Sequence, residues 1–148
     1  MKKKNILINT IIILILLSSN ALSGKFNYFE EGKILFEKKE FEKSKFLFEK
    51  DIVFNPKNEN SYLYLSKIFN LKDKVNEEEN NLNSVLILNP KNDEAIYLLS
   101  LIKIEQSNYD EANELIKKFE LVCNLFCDKK KEINNKLSKI IPDEKNKN

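Results

Sequence analysis

The sequence predicts an all-α solenoid: a stack of about three helix–turn–helix units ending in a single capping helix. Three observations predict it. The stretch NPKNENSYLYLS at 55–66 returns as NPKNDEAIYLLS at 89–100, a shift of 34 positions. A fixed period of about 20–50 residues marks a repeat architecture. Within each unit the apolar residues follow helical spacing, and the first two units close on Asn-Pro, which cannot continue a helix.

Taken in order, residues 1–23 have the n-, h- and c-region order of a secretory signal peptide. Lys2–Lys4 precede an apolar run from Ile6 to Leu17, broken by Asn9 and Thr10, and Ala21 and Ser23 stand before a cut at Ser23–Gly24. An uncleaved anchor over residues 6–22 is the other reading, although an apolar core of about a dozen residues falls short of the roughly 20 that span a bilayer. Both readings keep the lysines cytoplasmic and send the rest across, to the periplasm or cell envelope. A lipoprotein would need a Cys at the cut, and the first Cys is Cys123.

The units fall at about 25–58, 59–92 and 93–126. A shift of 34 aligns Tyr28, Tyr62 and Ile96, and likewise Gly32, Ser66 and Ser100. Phe41 meets Val75 and Tyr109, while Phe48 meets Leu82 and Ile116. Breaks within units are predicted at KKE (38–40), KDK (72–74) and SNYD (107–110), where Asn108 with Glu111 fits a capping arrangement. Pro56 meets Pro90, and the next step lands on Asn124, where the pattern is lost. The Asn that follows each Asn-Pro-Lys is placed to cap the next helix. Ile133 and Leu137 continue the register through a cap helix at 128–141, which gives the stack a polar outer end. Residues 142–148 read as a disordered tail.

These residues resemble the tetratricopeptide repeat. Its 34-residue unit has a small residue in helix A, an aromatic and then a small residue in helix B, and a terminal Pro. The first unit keeps Gly32, Phe41, Phe48 and Pro56; the second keeps Tyr62, Leu65, Phe69 and Pro90; the third fits through Tyr109 and Ala112. Glu78 stands where a small residue is usual, Asp51 where Ala is, and Lys103 where an aromatic is.

The resemblance implies a concave surface, lined by the A helices, that binds a peptide or a partner's helix. It places Phe29, Lys33 and Phe36 there from the first unit, and Leu63, Lys67 and Asn70 from the second. Tyr97, Leu101 and Ile104 come from the third, with an inward orientation of Ile104 equally open. Lys33 and Lys67, one period apart, are expected to stack into a short basic stripe. The family's clamp for a C-terminal carboxylate is not carried over, because Phe29 and Leu63 occupy two of its positions.

Composition narrows the chemistry. Formal charge is +2, so nothing points to nucleic acid. All 25 basic residues are Lys and there is no His, which removes the usual general base, the commonest zinc ligand and any bidentate phosphate clamp. With only Gly24 and Gly32 there is no phosphate loop. No catalytic residue, metal or cofactor is expected. Glu77-Glu78-Glu79 reads as a solvated helix face. Cys123 and Cys127 bracket the turn where a third Asn-Pro would fall. A disulfide stapling the last repeat to its cap and a pair of free buried thiols are both open. Redox or metal chemistry is the lesser reading, because the spacing is not that of redox motifs and two sulfurs alone hold a metal poorly.

The expected function is that of a non-enzymatic, exported scaffold that binds a protein or peptide partner, with membrane contact only through an uncleaved N-terminal segment. A self-associating homo-oligomeric subunit is the competing reading, and a thiol-dependent enzyme a third.

Overall fold

The computed structural model describes residues 27–140. The signal or anchor segment and the tail at 142–148 lie outside the described residues. The described residues form seven α-helices: α1 (Tyr28–Glu37), α2 (Phe41–Phe54), α3 (Glu59–Asn70), α4 (Val75–Leu88), α5 (Asp93–Glu105), α6 (Tyr109–Val122) and α7 (Lys130–Ile140). A 3-10 turn at Cys127–Lys129 precedes α7, and no strand occurs among the described residues. The first six helices pair as α1/α2, α3/α4 and α5/α6; α2 packs on α3, α4 on α5, and α7 covers α5 and α6.

Each pair turns in the same way. Helix α1 stops at Lys39 (φ 61°), α3 at Asp73 (φ 54°) and α5 at Ser107 (φ 60°), three left-handed residues 34 apart. Beyond each of them an N–H reaches back five residues: Glu40 to the Leu35 carbonyl, Lys74 to Phe69, and Asn108 to Lys103. This is the helix-ending motif usually built on Gly, here formed without it.

The junctions between pairs are closed by asparagine and carboxylate. Asn58 Oδ1 accepts from Asn60 N at 3.3 Å and Asn92 Oδ1 from Ala95 N at 2.9 Å, capping α3 and α5. Asp51 is buried and accepts from Asn55 Nδ2 (2.8 Å), Asn58 Nδ2 (2.7 Å) and Ser61 Oγ (2.5 Å). Its departure from Ala therefore gives the first junction its acceptor. Glu59 accepts from Asn89 and Asn92 at the second (2.8 and 3.3 Å). At the third, Asp93 Oδ2 accepts the backbone N–H groups of Asn124, Leu125 and Phe126 at 2.7, 2.7 and 3.0 Å.

The core follows the small positions of the first helix in each pair. A Cβ on Gly32 would lie 2.8 Å from Phe48 Cε1, so this crossing admits only glycine without movement. Ser66 and Ser100, fully buried at the same position, donate their hydroxyls to the Leu63 and Ile96 carbonyls, both at 2.7 Å. Ser44 donates to the Gly32 carbonyl at 2.8 Å. Lys103, in the place of an aromatic, is buried between Glu79 (2.6 Å) and Glu111 (3.0 Å). The hydrogen bond to Glu79 is the main reason its pKa rises, against the opposing effect of burial. The expectation of a solvated Glu77–Glu79 face is thus overturned for two of the three residues. Glu79 is committed to Lys103, and Glu78 is buried because its turn of α4 faces α3 rather than water.

Gly32→Ala is expected to cost about 1–3 kcal/mol of overpacking, offset only in part by a gain of about 1 kcal/mol in helix propensity. Urea midpoints check this. The double variant Gly32→Ala with Phe48→Leu should lose less stability than the sum of the single changes, because the smaller side chain relieves the contact.

Candidate interaction groove

Helices α1, α3 and α5 lie side by side and leave a groove. One part of about 250 Å³ is lined by Phe36, Lys67, Asn70, Leu71, Glu78 and Leu98. It continues into a smaller cavity of about 130 Å³, which shares Asn70, Glu78 and Leu98 and adds Asp73, Val75, Leu101, Ile102 and Glu105. The larger part is mainly apolar, and Asn70, Asp73, Glu78 and Glu105 gather in the smaller cavity.

Of the residues expected on this surface, Phe36, Lys67, Asn70 and Leu101 line it. Leu63, Tyr97 and Ile104 do not; all three are buried. Leu63 packs with Leu82, Val85, Ala95, Leu99 and Ile102 between the second and third pairs. Tyr97 lies under the C-terminal cap, its ring 6.0 Å from that of Phe119 and 6.2 Å from that of Phe126, and its hydroxyl donates to Glu132 at 2.8 Å. Burial foremost, then the Glu132 carboxylate, pushes the Tyr97 pKa up to about 12. Ile104 packs with Phe119 and Ile133, since α7 covers that end of α5. Phe29 is half-buried, 5.8 Å from both the Phe48 and Tyr64 rings. Positions 29, 63 and 97 face neighbouring elements rather than the groove. One residue further round the helix, about 100°, stands Leu98, which the sequence reading missed together with Leu71. Their signal was present in the alternation around each helix but depended on knowing its rotation.

The expected basic stripe does not form as free charge. Lys33 pairs with Glu30 at 3.5 Å and lies 5.8 Å from the Phe29 ring. Lys67 pairs with Glu94 at 2.7 Å and lies 5.1 Å from the Tyr64 ring. The same register position in α5 is Leu101. Glu78 is the groove's unusual charge. It is 3% exposed, and both its oxygens accept from the single Asn70 amide, at 3.2 and 3.1 Å. Burial drives its pKa upward, the Asn70 bond opposes this, and nearby Glu105 adds to the rise.

Cys123 and Cys127 are joined as a disulfide with a Cα–Cα distance of 5.2 Å. The bridge spans an irregular turn rather than a helix, because Cys123 ends α6 and Cys127 opens the 3-10 turn. Among the described residues no group of His, Cys, Asp and Glu is placed to hold a metal ion. No described helix is long and apolar enough to cross a membrane.

No protein-family model matches the sequence, and no curated protein does. Solved structures match it in fold. The chain is similar to the Yersinia enterocolitica type III secretion chaperone SycD in complex with a peptide of the translocator YopD, with a TM-score of 0.69 at 11% identity, covering 82% of this chain and 95% of that one. The Sgt2 TPR domain from Aspergillus fumigatus gives 0.65 at 14% identity, covering 81% and 83%. A chain of a CopN-Scc3 complex gives 0.63 at 17% identity, covering 73% of this chain and 65% of that one.

Two acids should shift stability with pH in opposite directions. Glu78 has its pKa raised in the folded state, so its ionisation costs stability at neutral pH, and the cost fades as pH falls through the folded value. Glu78→Gln should therefore raise the urea midpoint at pH 7 and lose this advantage in acid below the ordinary 4.5. For Asp93, burial alone would raise the pKa, but the N–H groups of Asn124, Phe126, Leu125 and Glu94 outweigh it and the net shift is downward. Its contribution is complete above the ordinary 3.8 and is lost as pH falls through the folded value. Asp93→Ala should cost about 1–3 kcal/mol at neutral pH, and hydrogen exchange at residues 124–126 should accelerate.

Proposed function

We propose that this chain, which has the tetratricopeptide-repeat fold, is a non-enzymatic interaction module that holds a segment of a partner protein in the groove along α1, α3 and α5. The observation that carries this is the groove itself: Phe36, Leu71, Leu98 and Leu101 line space that the described residues leave unfilled. Apolar anchors from a partner would gain about 25 cal/mol per Å² of surface removed from water there. A helix laid in a groove is one of the recurrent ways such surfaces are used. The similar SycD structure contains a peptide of another protein, which supports the reading by analogy of fold. The setting we propose is the bacterial cell envelope, supported by the lysine-led apolar segment at the N-terminus. A crosslinking pull-down from the native envelope tests the function. Leu98→Lys should abolish partner capture while helicity by circular dichroism persists; undiminished capture would sink the groove reading.

One observation favours a second reading, self-association. Val53, Ile87 and Leu121 are 75%, 81% and 86% exposed and stand 34 apart at the ends of α2, α4 and α6. They give the second helices of the pairs a repeated apolar step, flanked by Phe54 and Leu88. If copies associate through it, mass by light scattering rises with concentration and Ile87→Lys removes the rise. A constant monomer mass rules this reading out.

A further inference from the structure

We propose that the cavity at Glu78 takes the cationic end of a lysine or arginine side chain from the segment bound in the groove. The proposal rests on the groove reading and adds to it the chemistry of one contact.

The repeat does not need a carboxylate at this position. Ser44 and Ala112 stand at the same register in α2 and α6, and both are small and buried. In α4 the position is Glu78, 3% exposed, with only the Asn70 amide donating to it among the described residues. A buried carboxylate without a positive partner is costly, and a neutral amide compensates only part of that cost. The next residue shows the contrast: Glu79 has the Lys103 ammonium at 2.6 Å and Gln106 Nε2 at 2.7 Å. The surrounding lysines are committed elsewhere, Lys103 to Glu79 and Glu111, and Lys67 to Glu94. No described lysine is paired with Glu78, Lys72 and Lys74 being held by Glu42 and Glu77, so a cation that completes it would come from outside the described fold.

The cavity suits such a visitor. Its volume is about 130 Å³, and Asp73 and Glu105 line it beside Glu78 with no lysine among its lining residues. Val75, Leu98, Leu101 and Ile102 supply apolar wall, which would cover the aliphatic stem of a lysine or arginine while its head meets the carboxylate. A cation there forms charge-assisted hydrogen bonds in a desolvated place, where they are strong. The cavity joins the larger groove at Asn70, Glu78 and Leu98. A segment with an apolar residue against Phe36 and Leu71 could thus send a neighbouring basic side chain inward. An acidic segment would meet three carboxylates instead.

The test is selection of random dodecapeptides displayed on phage against the full chain, with Glu78→Gln and Leu98→Lys variants in parallel, each checked for retained helicity. Glu78→Gln removes the charge and keeps the shape. The expected result is that peptides selected on the unaltered chain share a Lys or Arg beside apolar residues and lose binding to Leu98→Lys. Replacing that basic residue by norleucine should cost about thirtyfold in affinity for the unaltered chain and have little effect on affinity for Glu78→Gln. Peptides that need Leu98 yet bind Glu78→Gln as tightly as the unaltered chain would overturn the cation proposal and leave the groove reading standing. Peptides indifferent to Leu98→Lys, or no enrichment, would overturn both.

Discussion

Where the first two helices cross, there is room for a hydrogen atom and not for a methyl group. The 2.8 Å approach that a Cβ on Gly32 would make to Phe48 fixes how closely α1 and α2 lie. Ser66 and Ser100 hold the same register in the later pairs, where the facing positions carry Leu82 and Ile116 instead of a phenyl ring. Small residues at one station let each hairpin close, and closed hairpins present flat flanks to one another. The stack and the groove along α1, α3 and α5 both follow from that spacing. The second pair makes one exception. Its Glu78 occupies a position that is small in the other two, and its carboxylate turns to Asn70 at the groove.

Acidic side chains have two opposite relations to this fold. Asp51, Glu59 and Asp93 collect the amide and backbone donors of the three junctions, so burial is compensated donor by donor. Glu78 has a single amide and no cation. Asp51 and Asp93 are buried much as Glu78 is, and the difference lies in the number of donors that converge. That is why the Asp93 pKa falls while that of Glu78 rises. Among the described residues no buried side-chain oxygen or nitrogen lacks a hydrogen-bond partner. The cost at Glu78 is therefore one of uncompensated charge rather than of a missing bond.

The sequence made the helices and their boundaries legible because the signals for them are local. Asn58 and Asn92 cap helices that begin at the next residue, and the left-handed residues Lys39, Asp73 and Ser107 fall within the predicted breaks. The rotation of each helix about its own axis was not legible. It is set by the neighbouring pair and by the cap, which turned Leu63 and Tyr97 into the core and brought Leu98 to the groove. Ile104 illustrates the same limit: its equivalent Asn70 is exposed, whereas Ile104 packs in a cluster that includes Phe119 of α6 and Ile133 of α7. Glu78 looked like part of a charged run because three consecutive glutamates point in three directions around a helix, and sequence alone does not say which faces inward. The cysteine spacing left bonded and free thiols equally open, and the turn geometry around Asp93 brings the two together.

The third junction has a different alphabet from the first two. Asparagine side chains bind the Asp51 and Glu59 carboxylates, so those junctions prescribe their residues by name. Asp93 binds main-chain amides at 124–126, a group that nineteen of the twenty amino acids possess. The turn is then tolerant of almost any substitution and intolerant of one, because proline has no N–H. Asn124 stands where the repeat would otherwise place its third Asn-Pro proline, after Pro56 and Pro90. What looks like decay of the repeat at that position is the condition for Asp93 to hold the end of the solenoid.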